Sequence, residues 1–366
     1  MEFGFLNVMQ NWHADLDDFQ TWQGETELAI AADKAGFDSI ACVEHHFESY
    51  GMCGDNFQYL AYLAAKTENA VLKPGACILP WNDPVRVAEK MSQLEYLAPG
   101  RTALGLGRGL SKKEYRGFRV DMNESRDRFD EAAEMVLTAL DTGFCEGDGK
   151  YFKQPRVEIR PRPRTGYRDK VFCVAMSPDS ATAAAKLGAP MMTFIQYPIE
   201  HHLPMIEGWR DEFREFHPGE EVPEPILTDV TLCHEDEEEA ERLAYEHIGR
   251  HFLSVMDHYD FGGDHFKGIK GYESYQVGAD LIKQAGMEGS QKAYVDAQNW
   301  GTPDQVIEKY HERFKLLGKH SALVVLNYGG MTYENSQNSL RLYGEKVIPA
   351  VKQMWADAAK AAPAAA

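Results

Sequence analysis

The chain has 366 residues, 44% of them hydrophobic and 26% charged, the balance of a globular protein rather than of a fibrous repeat or a disordered chain. Thirty-eight basic against fifty-seven acidic residues leave a net charge of −19, a surface that repels phosphate backbones, so no nucleic-acid partner is expected. No apolar run approaches the roughly 20 residues of a membrane helix, and the opening MEFGFLNVMQNW lacks the basic region of a secretory signal, so the expectation is a cytoplasmic protein with no membrane partner.

In chain order, short apolar runs alternate with amphipathic stretches. The opening FGFLNV reads as a strand. Residues 25–37 place Leu28, Ala29, Ala32 and Ala35 at helical spacing before Gly36, and 39–43 follows as a second strand. The grammar repeats. A helix through Leu94 and Leu97 meets Gly100 before an apolar run at 102–106. Residues 181–187 meet Gly188 before 190–195, and 314–317 meet Gly318 before 322–326. Glycine suits the left-handed position that ends a helix, and a buried strand follows it. Further strands are expected at 73–79, 171–175 and 226–232, which makes eight.

Strands alternating with helices imply parallel pairing and right-handed crossovers. Eight such units suggest a closed (β/α)8 barrel, an α/β fold. A doubly wound sheet competes, because local pattern does not see closure. A single domain is expected over 1–355. Within it, the glycine-rich, aromatic segment 259–299 lacks clear periodicity and reads as a long functional loop, a mobile lid. The alanine-rich end, 356–366, reads as a disordered tail. Residues 85–97 carry Val87, Met91, Leu94 and Leu97 at helical spacing, either as a dimer face or as packing on the barrel's own strands. The cysteines Cys42, Cys53, Cys77, Cys145, Cys173 and Cys233 form no C-x-x-C pair and read as buried free thiols of a reducing compartment.

Three constellations could carry chemistry. The second strand runs into Val43-Glu44-His45-His46-Phe47. Adjacent strand residues face opposite sides, so only one histidine can point into a barrel mouth unless the strand has ended. H-E-x-x-H is absent and neighbouring histidines chelate one ion poorly, so no metal is expected. His201 and His202 read as surface residues. After the fourth strand comes Gly105-Leu106-Gly107-Arg108-Gly109, where closely spaced glycines let amides approach an anion and Arg108 can fork onto phosphate oxygens. Its spacing is not the dinucleotide fingerprint. After the fifth strand, Ala175-Met176-Ser177-Pro178-Asp179-Ser180 opens an alanine-rich helix whose N-terminus would bind a phosphate, helped by the Ser177 and Ser180 hydroxyls. Taken singly, these are a polar strand end, a flexible turn and a helix cap. Both anion sites follow strands, however, and would face the same end of a barrel.

The chain resembles the bacterial luciferase-like flavin-dependent monooxygenases, and among them the catalytic alpha subunit. The similar stretches are VEHHFESYGMCGDNF at 43–57, ILPWNDPVRVAEKMSQLEYLAPGR at 78–101, LGRGLSKKEYRGFRVDMNESR at 106–126, VAMSPDSATAAAKLGAPMM at 174–192 and GTP at 301–303. The resemblance runs through most of the chain, and the order EHHF, LP-x-x-x-PVR, GRGL is far more specific than any one of them. It implies a (β/α)8 barrel that uses reduced FMN, supplied by a separate NAD(P)H:flavin reductase, and dioxygen. The implied reaction is oxygen insertion through a flavin C4a-(hydro)peroxide into a small to medium apolar carbonyl, an aldehyde or a ketone in Baeyer–Villiger fashion.

Carried over by motif, His45 is the implied catalytic proton donor and acceptor, with His46 supporting the pocket. Arg108, Ser177 and Ser180 match phosphate ligands. Met176 stands where a glutamate contacts the flavin through its backbone, and Glu44 and Ala175 count with the flavin-binding residues. Gly75-Ala76 aligns with a cis peptide beneath the flavin ring. Gly107 replaces a reactive cysteine, so more room is expected there, and light emission is not implied. A dry, closed site suits the chemistry, with Trp81, Phe194 and Tyr197 expected to line the mouth and substrate choice expected in the lid. Histidine suits proton management because its ordinary pKa is about 6.5. The resemblance also implies a dimer, read here as a homodimer. Two other readings stand beside it: a deazaflavin-dependent hydride transferase, and a non-catalytic flavin-binding subunit.

Overall fold

The computed structural model describes residues 2–361. Eight strands build the barrel: β1 Phe3–Asn7, β2 Ser39–Cys42, β3 Val71–Pro74, β4 Leu104–Gly107, β5 Val171–Val174, β6 Met191–Phe194, β7 Ile226–Val230 and β8 Ser321–Val325. Their order round the sheet is β3-β2-β1-β8-β7-β6-β5-β4, every pair parallel. Leu72 in β3 bridges Thr102 just ahead of β4, which brings the two edges together. The barrel, not the doubly wound sheet, is the fold. All eight expected strands are present. The third is split: beyond β3 the Gly75–Ala76 peptide is cis, and the pair Cys77–Ile78 then resumes pairing with β4.

Alternation along the strands sorts the core. Phe3, Phe5, Ile40, Cys42, Met191, Ala322 and Val324 pack outward under the helices. Their neighbours Leu6, Ala41, Met192, Leu323 and Val325 fill the barrel. Strand side chains alternate between faces, so nearly continuous apolar runs supply both layers at once. Gly36, Gly100, Gly188 and Gly318 all take positive φ, as their places after helices require. All six cysteines are buried and free.

The helices that matter for the site are α1 Asp18–Lys34, α2 Asn56–Ala64, α3 Pro84–Leu97, α4 Lys112–Phe118, α5 Ser125–Thr142, α6 Pro178–Lys186, α7 Leu203–Phe216, α8 Glu237–Leu243, α9 Gly249–His258, α10 Glu273–Ala285 and α11 Met287–Ala297. Three expectations change here. The segment 259–299 is not a structureless loop, because α10 and α11 occupy most of it. On α3, Val87, Met91 and Leu94 are buried by the chain itself and only Leu97 is exposed, so these residues pack on the barrel rather than offer a dimer face. The alanine-rich end is helical from Ile348 to Ala361, and 362–366 lie outside the described residues. An antiparallel hairpin, Phe144–Asp148 with Lys153–Glu158, was not expected from the sequence. Among the described residues no helix is long and apolar enough to cross a membrane.

Candidate active site

A cavity of about 140 Å3 opens at the carboxyl ends of the strands, and Gly75, Ala76, Gly107, Arg108, Met176, Ser180, His45 and Glu44 all line it. This is the end of a parallel barrel where functional groups gather.

At one end of the cavity lies an anion cradle. Ser177 caps α6, its side chain accepting from the Ser180 amide, with Pro178 in the first turn. The Ser177 and Ser180 hydroxyls are 3.1 Å apart. Arg108 follows β4 and is buried, and its Nη1 donates to Asp179 Oδ2 at 2.9 Å. A second buried guanidinium, which sequence reasoning missed, reaches the same place from α5: Arg126 donates to Asp179 Oδ2 and to Ser180 Oγ, both at 3.0 Å. Two buried arginines here share the Asp179 carboxylate, with Asp130 3.6 Å from Arg126 as well, beside a helix N-terminus and two hydroxyls. That donor set fits a phosphate dianion.

The segment after α9 closes over this end. The Gly271 carbonyl accepts from Arg108 Nη2 at 2.8 Å, and the Tyr272 ring lies 4.1 Å from the guanidinium. The Tyr272 hydroxyl donates to the Gly109 carbonyl at 3.0 Å. Below it, the Tyr115 hydroxyl donates to the Arg108 carbonyl at 2.5 Å.

Between the ends, the lining includes the small residues Gly75, Ala76 and Gly107. A Cβ built on Gly107 would meet Ile78 Cδ1 at 2.7 Å and Ala76 Cβ at 3.3 Å. The expected extra room at Gly107 is therefore absent, because the tip of Ile78 fills it. Ala175 lies in the barrel wall, its amide donating to the Met192 carbonyl at 2.8 Å. Met176 turns its sulfur onto the Phe194 amide, at 3.1 Å, and lines the cavity.

The other end carries His45. Its Nδ1 shares a 3.0 Å hydrogen bond with Glu114 Oε1, so Nε2 is the ring nitrogen left for the cavity. Glu114, on α4, is itself buried and also accepts from the His46 amide at 2.8 Å. His46 turns aside: its Nε2 lies 3.3 Å from Glu44 Oε1, and its ring packs on Phe118 and Trp81. The strand ends at Cys42, so alternation does not decide this, and the two rings are directed by their hydrogen bonds instead. Glu44 accepts from the Ile78 amide, Trp81 Nε1 and Asn82 Nδ2, which ties the loop after Cys77–Ile78 to the end of β2. Its oxygens are committed to that task. Trp81 packs against Tyr115 and Phe118 instead of lining the mouth, whereas Phe194 does line it.

His258, the last residue of α9, completes this end and was not singled out from the sequence. It is buried, stacks on Tyr50 at 4.2 Å and meets the His45 ring edge-on at 4.9 Å. Burial, then the neighbouring His45 and Lys113, push its pKa down to about 2, so the ring is neutral. His45, Glu114 and His258 offer atoms of metal-ligand type within 4.8 Å of one another, the one such group among the described residues. Glu114 Oε1 already accepts from the His46 amide and shares a bond with His45 Nδ1, whereas His258 Nε2 has no hydrogen-bond partner. His202, expected on the surface, is buried, and burial first, then Arg313, push its pKa down to about 4; His201 is exposed as expected.

A second chamber of about 260 Å3 adjoins the first and shares Met176, Gln196, Val255, Phe261, Tyr275 and Tyr294 with it. Its roof is α10 and α11, and Tyr197 lines this chamber rather than the first.

Residues 1–320 match the model of the family described as luciferase-like monooxygenase. The chain is 24% identical over 358 residues to the alkanal monooxygenase alpha chain of Photorhabdus luminescens, covering 96% of this chain and 98% of that one. Its structure is similar to that of the monooxygenase RslO1 from Streptomyces bottropensis, with a TM-score of 0.77, 25% identity, and 95% of this chain and 99% of that one covered. It shares a fold with the oxygenating constituent of 3,6-diketocamphane monooxygenase from Pseudomonas putida, a type II Baeyer–Villiger monooxygenase solved with FMN, at a TM-score of 0.73 and 19% identity over 95% of this chain and 98% of that one.

Proposed function

Because the chain belongs to the luciferase-like monooxygenase family, we propose that it is a two-component monooxygenase that takes reduced FMN from a separate NAD(P)H:flavin reductase. It uses dioxygen to oxidise a small to medium apolar aldehyde or ketone, in Baeyer–Villiger fashion for a ketone. The observation that carries the reading is one cavity touching both the Arg108–Ser180 anion cradle and His45.

Reduced FMN, when bound, supplies the electrons that activate dioxygen. The rest falls to this chain. Arg108, Arg126, Ser177 and Ser180 would hold the phosphate, after the Asp179 carboxylate and the Gly271 carbonyl give way. Gly75, Ala76 and Gly107 leave a flat wall for a planar ring. His45 takes or gives a proton at Nε2, with Glu114 holding the opposite ring nitrogen. The apolar chamber under α10 and α11 would take the substrate's hydrocarbon body and exclude water, with residues 259–299 opening as a lid. We propose a homodimer working in the cytoplasm, with the barrel over residues 1–355 as one domain.

The test is oxygen uptake by the purified chain with reduced FMN and a panel of aldehydes and ketones, alongside titration with reduced FMN and with a deazaflavin. Product in stoichiometric coupling to oxygen supports the reading. Preference for the deazaflavin with no oxygenated product replaces it with hydride transfer, and flavin binding without turnover replaces it with a non-catalytic subunit. Light scattering on the same sample decides the dimer.

A further inference from the structure

The side chains behind His45 form a line that leaves the cavity. Glu114 is followed by His258, whose Nε2 lies 3.9 Å from Glu114 Oε1. His258 Nδ1 lies 2.7 Å from Glu48 Oε2. Glu48 in turn pairs with Lys113, which is 45% exposed where His258 is 1% and Glu114 2%. Buried and exposed ends are thus joined through a single imidazole. The Nε2 atom of that imidazole has no hydrogen-bond partner. Burying a polar atom without a partner costs stability, so its position calls for a reason.

We propose that His258 is a relay and positioning residue for His45, carrying protons from the cavity to the surface through Glu114 and Glu48. The proposal rests on the assignment of His45 as the proton-handling group of the oxygenation site. Two of the links, His45 to Glu114 and His258 to Glu48, are within hydrogen-bond distance, and Glu114 Oε1 and His258 Nε2 must close from 3.9 Å for the relay to run. His45 Nε2 takes a proton from the cavity while Nδ1 passes its own to Glu114 Oε1. Glu114 hands that proton to the free Nε2 of His258, Nδ1 of the same ring gives one to Glu48, and Glu48 releases it beside Lys113. One proton enters and one leaves. No ring holds a second proton at the end, which matters for His258 because burial disfavours its charged form.

The ring is held for this task from several elements. Tyr50 stacks on one face, and Tyr259 meets it edge-on at 4.6 Å. The titratable and charged groups facing it are His45, Glu48 and Tyr50 from the loop after β2, Lys113 and Glu114 from α4, and Tyr259 from the lid. His251, about two helical turns earlier on α9, stacks on the same Tyr50.

The experiment compares wild type with His258→Phe, which keeps the stack on Tyr50, and with Glu48→Gln, which leaves His258 in place but cannot pass a proton. The first readout needs no flavin: solvent exchange of the His45 ring N–H proton, followed by nitrogen-resolved NMR. A relay predicts exchange slowed roughly tenfold or more in both variants, whereas a packing role predicts faster exchange as the region loosens. The second readout is the pH profile of coupled turnover with reduced FMN, where both variants should lose roughly tenfold or more in rate at unchanged flavin affinity. Exchange that is unchanged or faster in both variants overturns the relay. So does stoichiometric Zn2+ binding that His258→Phe abolishes, because a metal would then explain the free Nε2. If no variant and no wild-type sample oxygenates anything, the function assigned to the cavity fails, and the exchange rates still decide the relay.

Discussion

At the anion end of the cavity, the charged side chains are paired with groups that could be exchanged for a ligand. Arg108 is held by Asp179, the Gly271 carbonyl and the Tyr272 ring, and Arg126 by Asp179 and Ser180. At the histidine end Glu114 and His258 are buried while His45 is part-buried, and one nitrogen, His258 Nε2, is left without a partner. The contrast separates two tasks. On the proposed function, a binding end stores its arginines against protein oxygens that a phosphate would replace, whereas a proton-handling end keeps a lone pair open. The same cavity should therefore lose affinity when one end is cut and lose chemistry when the other is.

The sharpest way to break that division is a pair of variants. His45→Ala should lower coupled turnover by roughly 10²–10⁴-fold, the usual contribution of a positioned acid–base group, with reduced-flavin affinity near wild type. Arg108→Met should weaken reduced-flavin binding by roughly 10- to 100-fold, the range for charge-assisted hydrogen bonds, with turnover at saturating flavin largely retained. Stopped-flow binding and oxygen uptake measure both parameters. If each variant moved both parameters equally, the two ends would not be separable.

Glu25 sharpens the comparison from outside the cavity. It also has an unpartnered buried oxygen, Oε1, while Asn7 Nδ2 donates to Oε2 at 2.6 Å. Burial pushes its pKa from 4.5 up to about 8. A raised carboxyl holds its proton in the folded state where the unfolded chain has lost it, so the stability is present below pH 4.5 and is lost as pH rises toward 8. A tenfold change in proton affinity is worth about 1.4 kcal/mol, so the loss is on the order of a few kcal/mol. The urea midpoint should fall between pH 5 and pH 8.5 for wild type and change much less for Glu25→Gln, with turnover per folded molecule the same in both. An unpartnered atom near the cavity should alter chemistry, and this one should alter stability alone.

What could be read in advance follows the range of each interaction. The barrel was legible because each strand is a short apolar run and glycines mark the helix ends, both local signals. His45, Arg108, Ser177 and Ser180 could be named in advance because each lies in a contiguous motif following a strand, and the resemblance to a family, not the motifs singly, proposed their roles. Arg126 was not, since it lies in SRDRFDEAAEM, which reads as a solvated helix face, and its partner Asp179 is 53 residues away. His258 pairs with Glu48 across 210 residues, and no local pattern marks it. The helices α10 and α11 were hidden by glycines at 278, 286 and 289 and by aromatic residues that face the chamber rather than the barrel core.

Gly271 probes the hold of the proposed lid, residues 259–299, on the anion end. It takes a φ of +80°, and a Cβ there would meet Arg108 Nη1 at 2.6 Å and Asp179 Oδ2 at 3.0 Å. Gly271→Ala is disfavoured by the backbone and by the contact together. The expected result is a lid docked less tightly and, in coupled assays, a several-fold rise in hydrogen peroxide released per oxygen consumed, since water then reaches the site. An unchanged ratio would mean that docking at Arg108 does not seal the cavity.

The smallest effect is expected at Gly107, midway between the ends. Its missing side chain leaves no hole, because Ile78 Cδ1 stands where a Cβ would crowd it at 2.7 Å. That atom is the flexible tip of a side chain, so Gly107→Ala should fold, turning the methyl into the cavity at a cost of about 1 kcal/mol. Reduced-flavin affinity should drop about two- to fivefold, in line with an overpacked contact of that size. Adding Ile78→Val removes the displaced methyl and should restore most of the affinity, a coupling that independent sites would not show. Failure of the double variant to recover would place the crowding on Ala76 instead, whose Cβ is the next atom in line at 3.3 Å. The width of the flat wall would then be set by the Gly75–Ala76 segment and not by the side chain that follows it.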